Sequence, residues 1–231
     1  EGNLGSARII KMLDLRDDRL VVEAKGIYSI ENFLLSRRLM YWQVYLHKTA
    51  VAAEKMMIKT LTMAKYLAEK GVELFAPPSF RYFLENDVDL ALFKESKQEV
   101  LDHFVNLDDN DIWCTLKVWI NHDDIILSAL SRSLVNRKLF KIEVTNEPPE
   151  KGHIQSQIER YISRLGISEA EASYFYSSDI IYSNMYNEED DNIGILYNDG
   201  TIKDISEASD MLNIQLLSKK VEKHYFSYLR L

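Results

Sequence analysis

The sequence predicts an α+β protein, mainly helical in its N-terminal part, followed by a small α+β C-terminal lobe. Three observations carry that prediction. An apolar pattern of helical period begins near Ser29 and persists to Gly71. Two short β signatures stand apart from it, one around Arg16-Asp17-Asp18 and one at the Asn198-Asp199-Gly200 turn. Between the two parts, Glu147-Pro148-Pro149-Glu150 interrupts the chain and marks the expected boundary, giving domains 1–146 and 147–231.

Residues 8–24 read as two β runs about the turn at Arg16-Asp17-Asp18. Ser29 is the expected N-cap of the long helix, because its hydroxyl can accept from N–H groups that a first turn leaves without partners. Glu31, in that first turn, complements the helix dipole. Phe33, Met40, Val44, Val51, Met57, Ile58, Leu61 and Leu67 form the expected apolar stripe, and Gly71 stops it. Unbroken, at 1.5 Å per residue, this is a rod of about 60 Å, suited to a spine or an oligomer contact.

Pro77-Pro78 breaks the chain after that helix, and VDLALFKES and KQEVLDHFVNL are expected helices. Asp108 or Asp109 caps a helix over DIWCTLKVWI, and Asp123 caps another over DIILSALSRSLVNR. The alternation in KLFKIEV (138–144) predicts a strand. In the lobe, IQSQIERYISRLGI is an amphipathic helix closed by Gly166, and NIGILYNDGTIKDI is a hairpin. A short helix over 206–212 and a terminal strand over VEKHYFSYLRL complete it. NEEDDN (187–192) lacks the alternating spacing and the glycine of a calcium loop, and reads as a solvated acidic loop.

Composition narrows the function classes. The chain is 46% hydrophobic and 28% charged, as globular proteins are. No apolar run approaches the roughly 18 residues that cross a bilayer, so no membrane partner is expected. The single cysteine, Cys114, excludes an intrachain disulfide and a cysteine-based zinc knuckle, which fits a cytoplasmic setting. The chain opens at Glu1 without an initiator methionine or a signal peptide, and reads as a piece of something longer. A net charge of −8 argues against stable nucleic-acid binding, which needs a basic footprint. Within residues 21–60, however, six cations (Lys25, Arg37, Arg38, Lys48, Lys55, Lys59) face three acids (Glu23, Glu31, Glu54), a local net charge of +3. Such an island suits a small anion better than a polymer.

The candidate chemistry is sparse. His122-Asp123 has the look of a metal-binding dyad, but it falls at a junction between two expected helices, where Asp123 has a capping role. His103, His153 and His224 are isolated, and no nucleophile elbow, phosphate-cradling glycine loop or Cys-His pair is present. The residues therefore imply no self-sufficient active site. On an unbroken helix Arg37 and Lys48, eleven residues apart, fall within about 20° of one stripe and about 16 Å apart along it. They read either as solvated surface charges or as two separate anion stations. Trp42, Tyr41 and Tyr45 read as packing or interface residues rather than base-stacking ones.

Taken together, EGNLGSARIIKML, the hairpin after it, GIYSIENFLLSRRLMYWQVYLHKTAVAAE and NRKLFKIEV resemble HD-domain dNTP triphosphohydrolases, in particular their bacterial "HD superfamily phosphohydrolase" branch. The resemblance runs through essentially all 231 residues, as the family's post-HD helical segment plus C-terminal α+β lobe. It implies that Arg37, in LLSRRL, contacts the substrate triphosphate. It also implies that Lys25, His47, Lys48, Arg137 and Lys141 line a pocket between subunits for an effector nucleotide of dNTP or GTP type, in a homo-oligomer. Glu23 stands where the family often has an arginine, and an acid there repels phosphate. The family's divalent metal and its ligands belong to the HD half, which is missing here, so no cofactor is expected in this chain and the chain alone is expected to be inactive. The alternative from a different class is a noncatalytic protein-interaction or oligomerisation module.

Overall fold

The computed structural model describes residues 5–183, 192–210 and 221–231. In chain order come helix α1 (Ser6–Lys11), strands β1 (Leu13–Arg16) and β2 (Arg19–Glu23), then α2 (Ile27–Met40) and α3 (Lys48–Glu69). Helices α4 (Pro78–Glu85), α5 (Leu90–Glu95), α6 (Lys97–Asn106), α7 (Asp109–Trp119) and α8 (Ile125–Val135) follow. Next are β3 (Lys141–Thr145), α9 (Lys151–Leu165), α10 (Glu169–Ala172) and β4 (Tyr176–Ser183). Last come β5 (Gly194–Leu196), β6 (Ile202–Asp204), α11 (Ile205–Ala208) and β7 (Val221–Tyr228). The architecture is the expected one, mainly helical α+β, with one sheet ordered β1-β2-β5-β6 and another ordered β3-β7-β4.

The chain forms two compact units, Glu1–His47 with Ile180–Lys223, and Lys48–Asp179 with His224–Leu231. Glu147-Pro148-Pro149-Glu150 lies inside the second unit, as the connection from β3 to α9.

In the first unit β1 and β2 form the expected hairpin. Asp17 and Asp18 take φ of +50° and +60°, the left-handed turn whose twist matches that of the flanking strands. The β run expected from residue 8 starts only at Leu13. Residues 6–11 are helical instead, with Arg8 and Ile9 N–H bonding to the Gly5 carbonyl and Ile9 packed on the core. Strand β2 pairs in parallel with β5, placing Val22 opposite Ile195. Val22, Ile30, Leu34, Ile195 and Ile205 make the buried core, with Met12, Leu13 and Ile27 against it. A Cβ on Gly26 would stand 2.8 Å from Val22 Cγ1, so this handover from β2 to α2 excludes a side chain.

Ser29 does not cap α2. A 3₁₀ turn over Ala24–Gly26 already carries helical backbone into Ile27, so Ser29 sits within the helix. Glu31 is buried, not a solvated first-turn acid, and accepts a hydrogen bond from the Ser209 hydroxyl. The expected stripe is also out of phase: Ile30 and Leu34 face the core, while Phe33 is 36% exposed.

The long rod is likewise two helices. After Met40 the backbone widens into a π-helical turn over Tyr41–Tyr45, and the Leu46 N–H bonds to the Tyr41 carbonyl at 2.7 Å. Leu46 and His47 leave the helix before α3 begins at Lys48. The run Tyr-Trp-Gln-Val-Tyr is bulky and poor in strong helix formers, which favours such a break. The single stripe joining Arg37 and Lys48 therefore does not exist.

In the second unit α3 packs against α4 and α8, and α7 against α8. Met56, Met63, Ala64 and Leu67 of α3 are buried, as are Leu116 and Trp119 of α7 and Ile126, Leu127, Leu130 and Leu134 of α8. Asp108 caps α7 as expected, in a reciprocal box with Asp111. The cap of α8 is Asp124, not Asp123. Its extended backbone lets the carboxylate accept from Ile126 and Leu127 N–H at 3.0 and 2.7 Å, while Asp123 is exposed.

Strand β3 starts at Lys141 and pairs antiparallel with β7, Lys141 opposite Tyr228. Helix α9 ends at Gly166, whose φ of +68° closes it as expected. Buried Tyr161 donates to the Leu229 carbonyl at 2.8 Å, and burial pushes its phenol well above the ordinary range. The Asn198-Asp199-Gly200 turn joins β5 to β6 as expected, with Gly200 at φ +85°. The helix expected over 206–212 is shorter: α11 ends at Ala208, with Ser209 extended and residues 211 and 212, like 187–191 of the acidic segment, outside the described residues. Among the described residues no helix is long and apolar enough to cross a membrane.

Candidate functional site

Of the six expected site residues, Lys25, Arg37 and His47 belong to the first unit, and Lys48, Arg137 and Lys141 to the second. Lys25 sits on the 3₁₀ turn where β2 hands over to α2, exposed on the rim of a groove of about 810 Å³. The groove forms because the parallel β2–β5 pairing brings the Asn198-Asp199-Gly200 turn beside the β1–β2 hairpin. Asp14, Arg16, Glu23, Lys25, Tyr197, Asn198 and Asp199 supply its polar lining. Both cations are paired along their own backbone: Arg16 with Asp14 at 3.3 Å, and Lys25 with Glu23. The hydroxyl and backbone N–H of Thr201 hold the Asp199 carboxyl below its ordinary value. Sequence reading recognised the Asn198-Asp199-Gly200 turn as a hairpin but not as a wall of this groove, since no local signal announces a parallel partner so distant in the chain.

Arg37 is half-buried in the last turn of α2, where a cation complements the carbonyl end of the helix. His47 is exposed in the break after the π turn. In that turn Trp42 lies under the Lys223 ammonium, 4.9 Å from the ring centre, and Tyr41 packs on Tyr45 at 5.4 Å. Tyr41 and Tyr45 nevertheless stay exposed, at 41% and 58%.

In the second unit Lys48 is exposed at the start of α3. Arg137 is exposed just past α8, at φ +55°. Lys141 is held in place. Its ammonium donates to Glu143 at 2.6 Å and to the Tyr228 hydroxyl at 2.8 Å, and Tyr228 donates to the same Glu143 oxygen at 2.8 Å. His153, in the first turn of α9, meets the other Glu143 oxygen at 3.1 Å. This cluster pins α9 to the β3–β7 pair, a role that sequence reading of Lys141 missed. The hydrogen bond from Lys141, and then that from Tyr228, holds the Glu143 carboxyl below its ordinary value of 4.5. A depressed folded-state pKa stabilises above the ordinary value and is lost as pH falls through the lowered one. The melting temperature is therefore expected to fall as pH drops below about 4.5, and Glu143→Gln to flatten part of that slope, as followed by circular dichroism.

Sequence reading also passed over an α3 cluster in which Lys55 pairs with Asp179 at 3.2 Å, one turn from Lys59. Burial, ahead of its charged neighbours, lowers the Lys59 pKa. His122 has a plain backbone role, its Nδ1 accepting the Asp124 N–H at 3.0 Å, which places the ring proton on Nε2. Among the described residues, no three or more His, Cys, Asp or Glu side chains are grouped to hold a metal ion.

Residues 5–76 match the family model described as the HD associated region. In structure the chain is similar to a phosphohydrolase from Bacteroides thetaiotaomicron VPI-5482, with 58% sequence identity and a TM-score of 0.91, covering 99% of this chain and 56% of that one. A hypothetical protein from Aquifex aeolicus shares the fold at a TM-score of 0.61 and 21% identity, covering 99% of this chain and 49% of that one. In sequence the chain is 29% identical over 235 residues to the uncharacterized protein YwfO of Bacillus subtilis (strain 168), covering 98% of this chain and 51% of that protein. The chain thus spans about half the length of the relatives it matches. The family match and the phosphohydrolase neighbour associate it with the HD superfamily.

Proposed function

We propose that the chain is the C-terminal part of a metal-dependent HD-superfamily phosphohydrolase that acts on nucleotides, in particular deoxynucleoside triphosphates, as a cytoplasmic homo-oligomer. The observation that carries this reading is the 58% identity, over 99% of the chain, to a protein named a phosphohydrolase. On this reading the metal ligands belong to the part of the relatives that the chain does not span. Arg37 contributes a guanidinium fork to substrate phosphate oxygens, a geometry that suits them bidentately. Lys25, His47, Lys48, Arg137 and Lys141 serve an effector nucleotide, as the resemblance implies.

Calorimetric titration of the 231-residue chain with dGTP is expected to show saturable binding. Lys48→Ala or Arg137→Ala is expected to weaken it by about tenfold, the scale of one lost charge-assisted contact. Hydrolysis of dNTPs by this chain, with magnesium or manganese present, is expected to be undetectable; clear turnover would contradict the assignment of the metal site elsewhere. One observation favours the alternative of a noncatalytic assembly module. Tyr28, Leu35, Leu39, Tyr41, Val44 and Tyr45 are large apolar residues exposed along α2 and the π turn. An assembled oligomer that binds no nucleotide would decide for that alternative.

A further inference from the structure

The groove beside Lys25 holds each of its two cations beside a carboxylate of its own strand or turn. Lys25 is 65% exposed at its side chain, and Glu23, two residues earlier, is its ion-pair partner. Arg16 repeats the pattern with Asp14, also two residues earlier on one strand. Asp14 and Arg16, at i and i+2 on one strand, point to the same face, while Lys25, on the 3₁₀ turn, reaches back to Glu23 at the end of β2. The charged lining is Asp14, Arg16, Glu23, Lys25 and Asp199, a net −1. Lys141 offers an instructive contrast: it too is paired with a glutamate two residues away, but Tyr228 also fixes it and His153 fixes that glutamate. Among the described residues Lys25 is ion-paired with Glu23, and both partners are partly open to water, where such pairs are weak and easily exchanged.

We propose that Glu23 is a built-in competitor for Lys25, so that the groove takes a phosphate-bearing anion only by displacing the Glu23 carboxylate, which makes Glu23 the specificity-determining residue of the site. This rests on the reading of Lys25 as a phosphate-binding residue. Exchange of one anion for another at a solvent-open ammonium leaves the ligand only the difference between the two attractions. Repulsion from the displaced carboxylate then grows with ligand charge, so the groove discriminates against highly charged ligands.

The test is calorimetric titration of the full chain, at low ionic strength, with inorganic tripolyphosphate and separately with dGTP. Glu23→Gln is expected to bind tripolyphosphate about tenfold more tightly than the unsubstituted chain, and Glu23→Ala to move in the same direction. Adding Lys25→Ala to Glu23→Gln is expected to abolish the gain. Equal tripolyphosphate affinity in the Glu23→Gln and unsubstituted chains, or no binding by either, overturns the proposal. A gain with tripolyphosphate that Lys25→Ala does not remove also overturns it. The dGTP arm separates the two readings. Where the tripolyphosphate gain appears but dGTP binds no more tightly than tripolyphosphate, the competition by Glu23 stands and the nucleotide reading fails. Where no tripolyphosphate gain appears and dGTP binds the unsubstituted and Glu23→Gln chains alike, the competition fails and the nucleotide reading stands.

Discussion

Trp119→Ala is expected to cost about 3–5 kcal/mol of stability, the range for truncating a fully buried aromatic residue. Trp119 is 1% exposed, at the end of α7. Its ring lies 5.9 Å from that of Phe80, and its indole N–H donates to the Phe75 carbonyl at 3.0 Å. The substitution therefore opens a cavity between α4 and α7 and leaves a carbonyl without its partner. Trp119→Phe separates the two contributions: it restores most of the volume but not the donor, and is expected to cost about 1–3 kcal/mol. Urea unfolding followed by near-ultraviolet circular dichroism measures both. A cost for Trp119→Ala below about 1 kcal/mol would mean that this part of the core is not packed as described.

Leu34→Ala is expected to cost about 2–5 kcal/mol, while Phe33→Ala costs about 1 kcal/mol or less. The adjacent residues differ because α2 turns Leu34, 0% exposed, onto Val22, Ile30, Ile195 and Ile205, and turns Phe33 outward at 36% exposure. Side-chain size alone would rank them the other way. Urea unfolding of the two variants decides between the observed phase and the stripe through Phe33 that the sequence implied. If Phe33→Ala were the more damaging change, the stripe would be right and the placement of α2 wrong.

That contrast shows why part of the fold was readable and part was not. The pattern Phe33, Met40, Val44 and Val51 was fitted to one period across a segment whose period changes. The π turn at Tyr41–Tyr45 and the break at Leu46-His47 interrupt the regular helix, so one period cannot be carried from α2 into α3. The α8 cap moved by a single residue for a similar reason. Adjacent aspartates have equal capping chemistry, and the loop backbone, extended at Asp124, selects which one serves.

For the candidate site, the sequence supplied residue types and the structure supplied their surroundings. Lys25, Arg37, Lys48 and Arg137 were identified as cations by residue type and resemblance, and all four lie at element boundaries: the 3₁₀ turn, the last turn of α2, the start of α3 and the exit of α8. Their partners were not legible. Lys141 looked like a ligand-facing cation until β7 placed Tyr228 opposite it and α9 brought His153 to Glu143.

By itself, the sequence determined what depends on a few consecutive residues: the Asp17-Asp18 and Asn198-Asp199-Gly200 turns, an aspartate cap at Asp108 or Asp109, the helix stop at Gly166 and the α+β class. These follow from backbone preferences and hydrogen bonds closed within about four residues, where the chain is its own partner. Only the tertiary structure decided the parallel pairing of Val21–Glu23 with Gly194–Leu196, the face that α2 buries, and the fixing of Lys141. Each of those is an energy shared between residues far apart in sequence, so no local pattern encodes it until both partners are in place.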